Sequence, residues 1–153
     1  MKNKTVRLIS FIFLCELVGI VGATATTPAI PGWYASLQKP SFSPPNWIFG
    51  PVWTTLYAMM GASLFLVWEK SNNKKALVFF FSQLSLNLLW SLVFFGLKNP
   101  LLALINIVFL WVLIILTIFE FRKLSKPAAI LLIPYLVWVT FASFLNLNIV
   151  LLN

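Results

Sequence analysis

The chain has 153 residues, of which 61% are hydrophobic and 9% charged, and its formal net charge is +8. Soluble domains are about 25% charged, so this composition excludes an ordinary soluble protein and indicates one membrane domain over residues 1–153. A single cysteine and the lack of histidine exclude an intramolecular disulfide, a cysteine-clustered metal site and a histidine-ligated haem. The basic residues flank apolar segments and form no basic run with interleaved aromatics, so no nucleic-acid partner is expected.

Five apolar segments are each long enough to cross a bilayer, which takes about 20 residues. They are predicted to be helices, because unpaired backbone groups are too costly in lipid. The predicted spans are about 7–27, 46–68, 76–97, 101–121 and 127–152. Asn46 is predicted to cap the second helix, and Pro134 should kink the fifth. The predicted fold is therefore an all-α integral membrane bundle of five transmembrane helices, with a long ordered loop between helices one and two.

The basic residues predict the orientation of this bundle. Lys39 and Lys98 lie at one end of the predicted segments. All the others lie at the opposite end: Lys2, Lys4, Arg7, Lys70, Lys74, Lys75, Arg122, Lys123 and Lys126. Since positive residues favour the cytoplasmic side, the N-terminus is predicted to be cytoplasmic and the C-terminus outside. This bias, with no transit-like N-terminus, favours a prokaryotic cell membrane.

The first segment has an alternative interpretation as a cleavable secretory signal. A basic start, an apolar run and Ala23-Thr24-Ala25 fit that pattern. Against it, Glu16 interrupts the apolar run, and the run is long enough to span a membrane. We therefore interpret it as a helix.

The stretch from Trp33 to Tyr57 is rich in aromatic residues and prolines. Three of its prolines exclude a regular helix over residues 38–45, because proline lacks an N–H and restricts the residue before it. A long ordered loop of this kind can be a lid over a site between helices. The alternative is an interfacial belt, in which Trp and Tyr lie at headgroup level for structural reasons.

Polar and aromatic residues recur at helical spacing in three segments and so form one face of each helix. These faces are Trp53, Tyr57, Met60 and Leu64; Gln83, Asn87, Trp90 and Phe94; and Tyr135, Trp138, Ala142 and Asn146. Amides and small residues also mediate helix packing in lipid, which is our interpretation of Gly19, Gly22, Ala23 and Thr26. The large indoles suit a cavity for a flat apolar ligand better than close packing.

Glu16 is the only acid inside a predicted span. A carboxyl at membrane depth costs at least about 2.5 kcal/mol, so its side chain should face the bundle as a ligand or proton site, or form a structural hydrogen bond. No catalytic set or metal site emerges from the spacing of residues.

The chain resembles the TspO/MBR family, which includes tryptophan-rich sensory proteins and the mitochondrial translocator protein. The resemblance rests on WYASLQKPSFSPPNWIFGPVWTTLYAMMG at 33–61, QLSLNLLWSLVFF at 83–95 and PYLVWVTFASFLNLNIVLLN at 134–153. It implies a five-helix bundle, often dimeric, that binds porphyrins such as protoporphyrin IX. It implies no obligatory cofactor; the implied partners are a porphyrin or another apolar molecule, membrane lipids and a second copy of the chain.

By motif position, the resemblance implies a pocket covered by the loop from Trp33 to Pro45. The implied lining is Trp33, Tyr34, Pro44, Trp53, Asn87, Trp90, Trp138 and Ala142, to which the helix faces add Tyr57, Gln83 and Tyr135. No basic residue follows Tyr135, so the cholesterol motif of animal members is missing and cholesterol transport is not expected. Three roles stay open: ligand sensing, transport with Glu16 as a coupling group, and light-dependent porphyrin degradation involving Trp53 and Trp138.

Overall fold

The computed structural model describes residues 2–71 and 73–153, and every regular element in these ranges is helical. The helices are α1 (Lys2–Ala29), α2 (Phe49–Trp68), α3 (Lys74–Ser91), α4 (Pro100–Leu124), α5 (Lys126–Leu131) and α6 (Ile133–Leu152). The π-helical turns Ile30–Tyr34 and Leu92–Gly96 extend α1 and α3, and a 3-10 turn, Asn46–Ile48, precedes α2. Five segments are long and apolar enough to cross a membrane, α5 and α6 together making the fifth. The predicted all-α membrane bundle is confirmed.

The first helical segment is longer than predicted and continues beyond Trp33 to Ser36. It includes Pro31, whose missing N–H leaves an α-helical hydrogen bond unmade. The chain continues past this proline as a π turn, in which the N–H of Ala35 reaches back to the carbonyl of Ile30. The prediction that the loop begins at Trp33 is therefore wrong, and the non-helical part begins at residue 37.

Two other predictions, the cap at Asn46 and the kink at Pro134, can be compared with the structure. The prediction that Asn46 caps α2 is wrong, because Asn46 lies inside the 3-10 turn and Pro45 occupies the capping position. The predicted kink in the fifth segment takes the form of a break at Leu132, two residues before Pro134. Because of this break, α5 packs on α2 and α4, whereas α6 packs mainly on α4.

The helices pack in a ring whose two ends differ in composition. α1 packs on α2 and α3, α3 packs on α4, and α4 packs on α6. We call the end with residues 2–7, 69–71, 73–75 and 122–126 the basic end, and the end with residues 37–45 and the C-terminus the loop end. Toward the basic end, fully buried side chains such as Met60, Leu64, Phe80 and Phe121 fill the space between the helices. Large apolar side chains on the outer faces stay exposed, as expected for a surface that contacts lipid.

Ion pairs join neighbouring helices at the basic end. The Glu69 carboxylate, just after α2, pairs with Arg7 and, at 3.0 Å, with Lys4 of α1. Glu120 of α4 pairs with Lys75 of α3 at 3.0 Å and with Lys123 at 2.8 Å. The hydrogen bond from Lys4 and the charges of Lys4 and Arg7 lower the pKa of Glu69 below its usual value of 4.5.

This lowered pKa predicts a pH-dependent contribution of Glu69 to stability. A carboxyl whose pKa is lower in the folded state stabilises the fold above its usual pKa, and the stabilisation disappears as the pH falls through the folded-state pKa. We expect Glu69→Gln to unfold at a slightly lower temperature than the wild type at pH 7, and at the same temperature in strong acid. Equal thermal midpoints at pH 7 would contradict this prediction.

Candidate ligand cavity

A cavity of about 460 Å³ lies in the loop-end half of the bundle. Its walls come from α1, the start of α2, the end of α3 with its π turn, and α6. Neighbouring spans run in opposite directions, so the lining residues nearest the basic end are Glu16, Tyr57, Trp90 and Trp138. We call these four residues the floor. The cavity therefore extends from the middle of the bundle to the loop end, where Tyr34 lines it.

The structure separates the residues predicted for the site into two sets. Those that line the cavity are Glu16, Tyr34, Trp53, Tyr57, Trp90, Trp138 and Ala142. Those that do not line it are Trp33, Pro44, Gln83, Asn87 and Tyr135. The first set comes from four different helical segments, so the fold brings together aromatic residues that are distant in sequence.

Four polar side chains behind the floor bond to one another. The Tyr57 hydroxyl donates to Asn87 Oδ1, and Asn87 Nδ2 donates to the Tyr135 hydroxyl at 2.9 Å. The Tyr135 hydroxyl in turn donates to Gln83 Oε1 at 2.8 Å. All four residues are buried, so these bonds give their polar groups the hydrogen-bond partners that lipid and apolar side chains cannot provide. The network joins α2, α3 and α6 and holds the Tyr57 ring at the floor.

A second polar contact fixes the orientation of Trp90. Its Nε1–H donates to Asn146 Oδ1 at 3.1 Å, and Asn146 Nδ2 donates to the carbonyl of Pro100 at 2.8 Å. Trp90 also stacks on Phe94, with ring centroids 5.2 Å apart. Asn146 and Phe94 line the cavity too, although neither was singled out as a site residue. The signal was present in the sequence, because each lies four residues after a predicted site residue on the same helix face.

Trp138 differs from Trp90 in its hydrogen bonding. Its ring packs edge-on against Phe49 at 6.0 Å, and both residues line the cavity. The indole N–H is buried and has no acceptor among the residues that the structure describes. A buried donor without a partner costs free energy, so an acceptor atom on a ligand would be bound favourably there.

The sequence profile of the TspO/MBR family matches residues 11–152 of the chain. The chain belongs to the TspO/MBR family. Over its full length it is 46% identical to the Tryptophan-rich protein TspO of Chlorobaculum tepidum, with 99% of that protein aligned. The protein of the same name from Archaeoglobus fulgidus is 46% identical over 96% of this chain and 97% of its own length. The Translocator protein of Bos taurus is 38% identical over 95% of this chain and 89% of its own length.

These comparisons confirm the family that the three sequence motifs indicated. Together with the five apolar segments, they establish a multi-pass membrane protein. Membership of the TspO/MBR family also supports a receptor-like or translocator-like role in the membrane.

The predicted lid of this TspO/MBR protein is attached to the loop end without entering the cavity. Residues 37–45 do not line the cavity. The backbone N–H and carbonyl of Gln38 bond to the side chain of Asn153 at 2.9 and 3.0 Å, and Lys39 Nζ donates to the carbonyl of Tyr34 at 2.8 Å. The loop thus braces the turn that carries Tyr34, which lines the cavity.

The small residues of α1 have a wider role than the helix packing predicted for them. A Cβ added to Gly19 would lie 2.5 Å from the Tyr57 ring, and one added to Gly22 would lie 3.3 Å from the Ser91 side chain. These contacts agree with packing, but Gly19, Gly22, Ala23 and Thr26 also line the cavity. Because these side chains are small, the space between α1 and the indoles on the opposite wall stays open as the cavity. Spacing alone could not indicate this second role.

The chemistry of the lining suits an organic ligand. Within residues 2–71 and 73–153, no group of three His, Cys, Asp or Glu side chains is placed to hold a metal ion. The lining consists of aromatic and aliphatic side chains with a few amide, hydroxyl and indole groups, and Glu16 is its single ionisable carboxyl.

Proposed function

We propose that this protein binds flat, apolar ligands of the porphyrin class in the aromatic cavity, as part of tetrapyrrole handling or stress sensing. The observation that carries the proposal is the cavity itself, about 460 Å³ in volume and lined by the indoles of Trp53, Trp90 and Trp138. Small-molecule sites in proteins have volumes of roughly 300–1,000 Å³ and are mostly apolar with a few polar groups. Protoporphyrin IX is the representative ligand.

Two kinds of interaction support binding of such a ligand. Aromatic pairs contribute about 0.5–1.5 kcal/mol each beyond the area that they bury, and four indoles line the cavity. The unpartnered N–H of Trp138 can donate to an acceptor on the ligand and so orient it.

The exposed residues of the lining indicate how a ligand would enter. Ile20 of α1 is 57% exposed, and Trp47 in the 3-10 turn that leads into α2 is 74% exposed. Other exposed lining residues, Ala23, Thr27, Gly50 and Thr54, belong to the same two segments. In a membrane this side would face lipid, so we propose that apolar ligands enter from the bilayer between α1 and α2. The cytoplasmic position of the basic end, a prokaryotic cell membrane, a homodimer and contacts with specific lipids stay predictions.

We expect Ala142→Phe to weaken protoporphyrin IX binding about tenfold or more. Ala142 lines the cavity from α6, and the larger ring would occupy volume that the ligand needs. A tenfold loss corresponds to about 1.4 kcal/mol, which is modest for a ligand excluded by direct overlap. The measurement is a titration of the detergent-purified protein, followed by the absorbance of the bound porphyrin.

The matched control is Val137→Phe, which adds a ring on the same helix at a position that is 63% exposed. This variant should bind protoporphyrin IX as the wild type does. If both variants, or neither of them, lose affinity, porphyrin binds to the apolar surface of the bundle and the cavity proposal is wrong.

A further inference from the structure

Glu16 is the one carboxyl that lines the cavity, and it lies midway along α1, where its side chain is partly exposed. It is nine residues beyond Arg7 on α1, which places it about 13 Å farther along the helix axis. A carboxyl at such a depth is costly and is normally paired or functional. The other two acids of the chain, Glu69 and Glu120, each pair with two basic side chains at the basic end.

No such partner accompanies Glu16. Among the residues that the structure describes, its carboxyl makes no ion pair and no hydrogen bond. Two of its floor neighbours direct their polar groups elsewhere: the Tyr57 hydroxyl donates to Asn87, and the Trp90 N–H donates to Asn146. The N–H of the third, Trp138, has no acceptor among the described residues and so does not bond to Glu16 either. The carboxyl therefore keeps its full capacity to accept hydrogen bonds inside an apolar cavity.

We propose that Glu16 selects ligands by the group that they place at the floor, accepting a hydrogen bond from a nitrogen-bound hydrogen or an ammonium group. This inference rests on the proposed function of the cavity and names the ligand class more closely. The favoured ligand is a flat apolar molecule with an N–H or amine at its leading edge. Both an N–H and an ammonium offer a donor to the carboxyl, and an ammonium adds the attraction of opposite charges in a site of low polarity.

The same carboxyl disfavours ligands that bring a carboxylate to the floor, because two carboxyl groups close together in an apolar site cannot both be ionised without strong repulsion. A porphyrin that carries carboxylates should therefore bind with them directed away from Glu16. The loop end is the favourable direction, since Lys39 contacts Tyr34 at that end of the cavity. Glu16 thereby sets both the preferred ligand and the orientation of an acidic one.

The test compares two fluorescent probes that differ in one group, 9-(aminomethyl)anthracene and 9-methylanthracene. Both are titrated into the intact protein in a non-ionic detergent, with wild type, Glu16→Gln and Glu69→Gln. We expect the wild type and Glu69→Gln to prefer the amine about tenfold, the size expected for one charge-assisted hydrogen bond. Glu16→Gln should lose most of this preference, and an unchanged thermal midpoint by circular dichroism shows that the variant is folded.

The inference is overturned if the wild type shows no preference for the amine, or if Glu16→Gln keeps the preference. A parallel titration with protoporphyrin IX separates this result from a failure of the proposed function. If protoporphyrin IX binds in the cavity but the amine preference is missing, only the role of Glu16 is wrong. If neither protoporphyrin IX nor the anthracenes bind, both proposals are wrong.

Discussion

Replacing Gly61 by leucine is expected to separate α1 from α2 and to destabilise the bundle by about 3 kcal/mol or more. Gly61 lies in the middle of α2, directly against the backbone of Ile12 in α1. A Cβ added to Gly61 would lie 2.6 Å from the backbone nitrogen of Ile12, closer than real Cβ contacts allow. Backbone atoms cannot turn away as a flexible side chain can, so the two helices would have to move apart. Thermal unfolding in detergent, followed by circular dichroism, measures the effect.

Gly32→Leu is the matched control for this substitution. A Cβ added to Gly32 would have no neighbour within 4 Å, so the same change there should leave the thermal midpoint nearly unaltered. Gly61→Ala should give an intermediate loss, since its single methyl group already meets the backbone of Ile12. If Gly61→Leu unfolds at the wild-type temperature, α1 and α2 do not approach each other as closely as the structure indicates.

The five spans could be predicted from hydropathy because a bilayer imposes one length and permits few backbone structures. The extent of the first helical segment could not. The first span was predicted to end near residue 27, but the chain stays helical past Pro31 through the π turn at Ile30–Tyr34. Such a local change of helix type depends on neighbouring carbonyls and donors, which the order of residues alone does not reveal.

The helix faces were predicted from spacing, but part of each face lines the cavity and part is buried in the core. On α2, Trp53 and Tyr57 line the cavity, whereas Met60 and Leu64, farther along the same face, are fully buried in the core. On α3 the cavity begins at Trp90. Periodicity shows which side of a helix faces its neighbours, but the depth at which the helices diverge is a property of the packed bundle. The cavity therefore occupies only the loop-end half of faces that look continuous in the sequence.

This change along the face explains why Gln83, Asn87 and Tyr135 do not line the cavity. They lie on the predicted faces, but nearer the basic end, where α2, α3 and α6 come close enough for direct hydrogen bonds. Buried polar groups in contact form hydrogen bonds with one another, so these side chains form the network behind the floor. The sequence could place them at the helix interface, but it could not distinguish bonding to a ligand from bonding to each other.

Removing the central member of this network is the second substitution with a large expected effect. Asn87→Ala should destabilise the protein by about 3 kcal/mol, because it deletes packed atoms and leaves the Tyr57 hydroxyl buried without its acceptor. The thermal midpoint in detergent is again the measurement. Asn148→Ala is the matched control, since the Asn148 amide bonds only to the carbonyl of Phe144 in its own helix, at 2.8 Å. The control should unfold close to the wild-type temperature.

A double-mutant cycle with Tyr57→Phe tests whether the loss comes from the network. Once the Tyr57 hydroxyl is removed, Asn87→Ala should cost less than it does in the wild type, with a coupling of about 0.5–3 kcal/mol between the two sites. The coupling should be present without any ligand, because Asn87 bonds to Tyr57 and Tyr135 within the protein. Additive losses would mean that the amide and the hydroxyl do not interact. Asn87 would then be free to contact a ligand directly, as its place in the sequence motif implies.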